Sequence, residues 1–515
     1  MEGLQNQDGQ KAWSAAIADR TERPLRAFKI SPLLLLSTVL ALSVGELASG
    51  TDLYFVAMMA VTLTCIGLTY NMLGGLSRIS GFLFAAMAAA TIVISQFSKV
   101  ILFEAADRNL EVPHLTITVY AAFYLSAMMG VFLFAWIRLR LPTPIEPDTM
   151  SQSKTLYWIA LIVGIIANTV FWIDTWGSAQ SLTSTSHSIS LAFSPLILFS
   201  IVLAVDQRIR ETDGRHSLNA RMIASSVAVA FYQAVLTSRE GLASPLLVYG
   251  LACYVRGYRF KLRHYLALLA FIVLLQTVIS PFEIYSRNLL SGQLSFRERV
   301  AKTYNILESP PSWQQIWNVQ AETETYDTYD EYYSRPGTYI LSRFSMIRAD
   351  SHLIATCADG LRYGLNEVKA DLLANIPRLL YRNKPDEDGA VLVEGIAGTS
   401  IKWAFTSVSD SYGAFGWMGV VLFPMLILPM IFIVYDSMFD MSRPWGTVAL
   451  GIGVLGIWDK RMIDFIILLV KAPLSLWFLS LLTVAIARFM AGSGRRVESP
   501  GGETLSAYPD AQTLS

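Results

Sequence analysis

From residue 31 onward the chain alternates long apolar runs with short polar breaks. Runs near 31–48, 52–72, 80–103, 116–137, 155–174, 187–205, 220–237, 241–256 and 263–280 come first, and runs near 411–435, 444–458 and 463–490 come last. A bilayer core about 30 Å thick requires about 20 apolar residues of helix. The pattern therefore predicts an all-α polytopic bundle of about twelve spans, of which 241–256 and 444–458 are short for a full crossing. A long polar region, 281–408, interrupts the series. Within it, Tyr339, Ile340, Phe344, Ile347, Leu353 and Ile354 recur at helical spacing and predict an amphipathic helix over 336–357, with a second over 364–382. The expected organisation is a leader (1–30), an N-terminal bundle (31–280), a partly helical loop domain (281–408), C-terminal spans (409–490) and a disordered tail (491–515).

The leader carries Lys11, Arg20, Arg23, Arg26 and Lys29, and the run after it lacks a small-residue cleavage site, so it reads as a retained first span rather than a signal peptide. Positive charge in short loops marks the cytoplasmic side. The leader, Arg138–Arg140, the loop with Arg208, Arg210, Arg215 and Arg221, the stretch Arg256–Arg263 and Arg495–Arg496 fall at every second boundary. One assignment fits all of them: both termini cytoplasmic, with 281–408 on the outer face, where no nucleotide-activated substrate is available.

Composition agrees: 53% of the 515 residues are hydrophobic and 16% charged, against about a quarter charged in soluble proteins. The net charge of zero gives no field directed at nucleic acid. Five His and three Cys are too few and too scattered for a structural zinc site or a disulfide framework. Cys65 and Cys253 read as small hydrophobes, whereas Cys357 stands alone in a polar region.

The residues that could carry chemistry gather at the predicted outer boundary. Arg239, in QAVLTSREGLASPLL, is either an anion-binding group or an interfacial Arg that snorkels beside Glu240. In RFSMIRADSHLIA one short helix could present Arg343, Arg348, Asp350 and His352. Guanidinium forks suit diphosphate oxygens, and a carboxylate or imidazole can accept a hydroxyl proton. Arg378, Arg382 and Lys384 in LLANIPRLLYRNKP could hold a lipid phosphate or simply anchor the loop. In TSVSDSYGAFGWMG, Asp410 reads first as a helix cap and second as a catalytic group, and Gly413, Gly416 and Gly419 as packing positions. The charges of IWDKRMIDF read as an outer turn, and the acidic, Tyr-rich AETETYDTYDEYYSRPG as a solvated loop ahead of a sugar-contacting surface. No acidic pair suggests a metal, and no cofactor is implied.

TSREGLASPLL, IPRLLYRNKP and DSYGAFGWMG, in this order around one long late loop, resemble the O-antigen polymerase and oligosaccharide repeat-unit polymerase family. The resemblance covers roughly 220–435, and Glu240 stands where that family often has Gly. It implies a metal-independent, membrane-embedded glycosyltransferase of the C type in a bacterial inner membrane. Such an enzyme moves a growing glycan from undecaprenyl diphosphate onto a new lipid-linked repeat unit at the periplasmic face. It further implies diphosphate binding by Arg239, Arg343 and Arg348, a second lipid phosphate on Arg378, and Asp350 or His352 as base, with Asp410 a lesser candidate. The implied partners are undecaprenyl diphosphate-linked oligosaccharide, membrane lipid, a chain-length regulator and a flippase of the same pathway. An O-antigen ligase shares the Arg-plus-His logic. A transporter or flippase would instead show repeated halves and broken polar helices at the midplane.

Overall fold

The computed structural model describes residues 28–134, 153–177, 185–235, 239–274, 296–309, 345–366, 405–457 and 461–494, with short stretches between them that include Tyr333 and Ser334. Among the described residues the protein is helical and contains no strand. The elements in chain order are α1 (Pro32–Ala48), α2 (Leu53–Met72), α3 (Ile79–Leu102), α4 (Pro113–Phe134), α5 (Lys154–Gly177), α6 (Thr185–Phe193), α7 (Leu196–Glu211), α8 (Ala220–Val235), α9 (Arg239–Val255) and α10 (Leu262–Leu274). They continue as α11 (Phe296–Glu308), α12 (Ile347–Ala358), α13 (Ser407–Phe415), α14 (Trp417–Met438), α15 (Pro444–Ile457) and α16 (Met462–Gly494). Among the described residues, seven helical stretches are long and apolar enough to cross a membrane: Leu53–Ser77, Ile79–Leu102, Pro113–Phe134, Lys154–Phe171, Ile189–Glu211, Trp417–Met438 and Leu468–Phe489. Shorter apolar helices Pro32–Ala48, Gly241–Val255, Leu262–Leu274 and Pro444–Ile457 occupy other apolar runs of the sequence.

Helix starts follow local chemistry. Ser31 accepts from Leu34 N at 3.1 Å with Pro32 in the first turn, and Asp52 accepts from Tyr54 N at 2.9 Å and Phe55 N at 3.3 Å. Such side-chain acceptors satisfy N–H groups that the helix cannot. The core holds large aromatic residues. Phe199 stacks on Trp445 with ring centroids 4.3 Å apart, and Phe84 meets Tyr124 and Phe432 edge-on. Helix α4 runs beside α2 and against the π-helical turn Phe423–Ile427 inside α14. Gly130 permits that approach, because a Cβ there would collide with the backbone of Met425. A second π-helical turn, Ala89–Val93, interrupts α3. It carries Thr91, whose hydroxyl lies 2.5 Å from that of Tyr124.

Polar contacts mark the two ends of the bundle. At one end the Asn71 side chain grips both the N–H and the C=O of Ile30 at 2.8 Å. Buried Asp206 there pairs with Arg256 at 2.5 Å and Arg210 at 3.3 Å. The Tyr254 hydroxyl donates to Leu76 O at 3.4 Å. The basic loops after α7 and α9 therefore share one end, as their charge pattern requires. The opposite end gathers the α1–α2 and α3–α4 connections, α12, and the starts of α13 and α16.

The sequence reading needs correction in three places. The apolar run 411–435 is broken at Gly416, whose φ of +60° ends α13 before α14 begins; glycine adopts this left-handed backbone without a Cβ clash. Cys357 is buried in α12 rather than lying in a polar region. Where the sequence predicts a helix over 336–357, Ser345 and Met346 are not helical and α12 runs from Ile347 to Ala358. Residues 335–344 and most of 364–382 lie outside the described residues.

Candidate functional site

Helix α12 is amphipathic, with Ile347, Leu353, Ile354 and Cys357 buried among core side chains. Its buried face also contains two polar residues, and both are fully engaged in docking. The Asp350 carboxylate accepts from the Tyr120 hydroxyl at 2.5 Å, Thr406 N at 2.9 Å, the Thr406 hydroxyl at 2.5 Å and the Ser409 hydroxyl at 2.6 Å. One side chain thus ties α12 to α4 and α13. Burial pushes the Asp350 carboxyl above the usual carboxylate range, while the hydrogen bonds from Ser409, Thr406 and Tyr120 pull the other way. Ser351 Oγ accepts from Glu111 N at 3.0 Å and Val112 N at 3.3 Å, and Thr116 Oγ1 lies 3.1 Å away. Ser351 therefore caps the entrance to α4 from outside the helix.

Four residues apart, Arg348 and His352 share another edge of α12. Arg348 Nη1 lies 3.0 Å from Glu111 Oε1, and His352 Nδ1 lies 2.8 Å from the same oxygen. Side-chain exposures of 12% for Arg348, 23% for His352 and 36% for Glu111 place this triad at the rim, unlike fully buried Asp350. Burial tends to raise the Glu111 carboxyl, but hydrogen bonds from His352 and Arg348 outweigh it and hold it below the usual range. Glu111 comes from the α3–α4 connection, far away in sequence.

Asp410 is also buried, but its carboxylate faces elsewhere. It accepts from Met462 N at 2.7 Å, capping α16, and from the Tyr363 hydroxyl. Asp410 is thus a cap for a distant helix; α13 itself is capped by Thr406, which accepts from Val408 N at 3.2 Å. Arg362 stacks over the Tyr412 ring at 4.7 Å and donates to the Cys357 carbonyl, closing α12 against α13.

Sequence reasoning missed a second polar cluster beside these elements. Lys99, Glu104, Glu46, Gln96 and Thr51 are all buried. Lys99 Nζ pairs with Glu104 Oε2 at 3.2 Å and sits 4.3 Å from the centre of the Tyr333 ring. The Tyr333 hydroxyl donates to Ala106 O at 2.5 Å, and Glu46 Oε2 accepts from Thr51 Oγ1 at 2.7 Å and Ala106 N at 3.1 Å. The expected solvated character of the acidic, Tyr-rich segment does not extend to Tyr333, because a buried ammonium holds the face of its ring. The available signal was Glu46 and Lys99 within or at the edge of apolar runs, where a charge needs a partner.

Among the predicted site residues, Arg348, Asp350 and His352 lie on one helix, and Asp410 follows Ser409, which bonds Asp350. Arg239 opens α9, but its side chain is outside the described residues, as are Arg343 and Arg378 altogether. Among the described residues no group of three His, Cys, Asp or Glu side chains converges to hold a metal ion. The arrangement offers a guanidinium for an anion and an imidazole for a proton at an accessible rim, fastened from beneath by a buried carboxylate. No family model, curated protein or solved structure matches this chain.

Proposed function

We propose that this chain is a membrane glycosyltransferase that polymerises lipid-linked oligosaccharide repeat units. The observation that supports it best is the rim of α12, where Arg348 and His352 flank one carboxylate oxygen while Asp350 and Ser351 hold the helix on the bundle. A diphosphate leaving group needs charge-assisted donors, and a sugar hydroxyl needs a base. Arg348 supplies the first and His352 the second. Asp350 is less suited to proton transfer, since both its oxygens already accept hydrogen bonds. Asp350 and Asp410 are read as fastenings of the site. The family resemblance adds Arg239 and Arg343 as further diphosphate ligands and Arg378 as a ligand of the second lipid phosphate.

In this reading about twelve spans form the bundle, α12 lies on the outer face of a bacterial inner membrane, and the lipid tails run between the apolar helices. The donor carries its own activation in the diphosphate, so no soluble energy source is needed. Deleting the gene in its host and sizing the surface polysaccharide tests the reading. Single repeat units should accumulate, the wild-type gene should restore the ladder, and His352→Ala should not. An unchanged ladder and unchanged secreted glycans in the deletion strain would contradict it. Polymer transferred to a new acceptor would instead indicate a ligase, which the His352–Arg348 pair also suits.

A further inference from the structure

We infer that Glu111 is the positioning residue for His352, fixing its ring so that Nε2 acts as the base. The inference rests on the polymerase reading for its chemistry, but its geometry stands independently. In a neutral imidazole one ring nitrogen carries the proton and the other the lone pair, and the partner of one decides the role of the other. Glu111 Oε1 lies 2.8 Å from His352 Nδ1. A carboxylate only accepts, so Nδ1 carries the proton, and in the neutral ring Nε2 carries the lone pair.

Three features make Glu111 a firm reference point for the ring. Its backbone N–H donates to Ser351 Oγ at 3.0 Å, next to His352 on the same helix. Its carboxylate also takes Arg348 Nη1 at 3.0 Å. The turn that carries it runs directly into α4, which meets α12 again through Tyr120 and Asp350. Among the described residues, the charged groups near the ring include Glu111 from the α3–α4 connection and Arg348 from α12 itself, with buried Asp350 on the inner face of the helix.

In the transfer step the acceptor hydroxyl gives its proton to Nε2 as its oxygen bonds to the anomeric carbon. The bond from that carbon to the lipid diphosphate breaks, and its electron pair leaves with the diphosphate. The imidazolium that forms carries a positive charge, which the Glu111 carboxylate stabilises through Nδ1–H.

The experiment uses the full chain in proteoliposomes, with wild type, Glu111→Gln, which keeps an acceptor but removes the charge, and Glu111→Ala, which removes both. Both substitutions should lower kcat by roughly tenfold to a hundredfold, as loss of a partner that orients a functional His does elsewhere, and Glu111→Ala the more. KM should change by less than about threefold, because losing an interaction made only in the transition state lowers kcat and leaves substrate binding alone. Glu111→Asp should recover part of the rate. A merely structural role would raise KM along with the loss of kcat, and an unchanged kcat in both variants would overturn the inference. Ring-labelled His NMR, with His352→Gln to assign the signal, provides a readout without turnover. Loss of the Nδ1–H tautomer in Glu111→Ala supports the inference, and an unaltered tautomer overturns it. Wild type that shows this tautomer but never polymerises would sink the polymerase reading alone.

Discussion

Replacing Asp350 with Ala tests whether this carboxylate fastens α12. The substitution removes the acceptor of four hydrogen bonds, from Tyr120, Ser409 and both donors of Thr406. Two of these donors have a fallback: the Ser409 hydroxyl already lies 3.3 Å from Thr406 O, and the Tyr120 hydroxyl 3.5 Å from Thr91 O. The Thr406 N–H and hydroxyl lose their acceptor inside the protein, at about 1–3 kcal/mol each. With a smaller loss at the other two, detaching α12 should become easier by roughly 3–5 kcal/mol. The free thiol of Cys357, buried in the same helix, provides the assay. In a background with Cys65→Ala and Cys253→Ala, the labelling rate of Cys357 reports the population of detached α12. At about 1.4 kcal/mol per factor of ten, Asp350→Ala should speed labelling by roughly a hundredfold to a few thousandfold. A rate within threefold of the parent would refute the fastening role and restore Asp350 as a candidate base.

Other outcomes follow from the same geometry. His352→Ala should abolish chain extension while leaving Cys357 labelling within about threefold of the parent, because a partly exposed ion pair at the rim contributes little to stability. The folded-state pKa of Glu111 lies below its ordinary value of 4.5, so its contribution is present above that pH and lost as pH falls through the depressed value. Thermal unfolding of wild type should accordingly lose stability at acid pH that Glu111→Gln never had. Lys99→Met removes the ammonium 3.2 Å from buried Glu104 and should cost about 3–5 kcal/mol of unfolding free energy. Adding Glu104→Gln should recover part of that. Gly416→Ala places a Cβ at φ +60° and ψ −143° and should cost about 1–3 kcal/mol in the same unfolding measurement.

The helices were legible because membrane spans announce themselves in one dimension: twenty apolar residues need no partner to be recognised. The break at Gly416 was hidden, since apolar residues continue on both sides and only the backbone angle separates α13 from α14. Arg348 and His352 were legible from their spacing of four on one helix. Glu111 was not, because its partnership depends on the α3–α4 turn meeting a helix some 240 residues later. The same limit concealed the role of Asp410: cap-forming residues near it pointed to α13, whereas its carboxylate reaches the start of α16. Lys99 and Glu104 lie five residues apart and were available to the sequence. Tyr333, which completes their cluster, comes from a segment whose local composition reads as solvated.

The most direct test of the central claim is reconstitution of the purified chain in proteoliposomes with a lipid-diphosphate-linked repeat unit as sole substrate. The account predicts glycan chains of many units, still attached to the lipid diphosphate, made by wild type and absent with His352→Ala of equal Cys357 protection. Equal chain synthesis by His352→Ala, or wild type that only moves the lipid-linked unit across the bilayer, would contradict it.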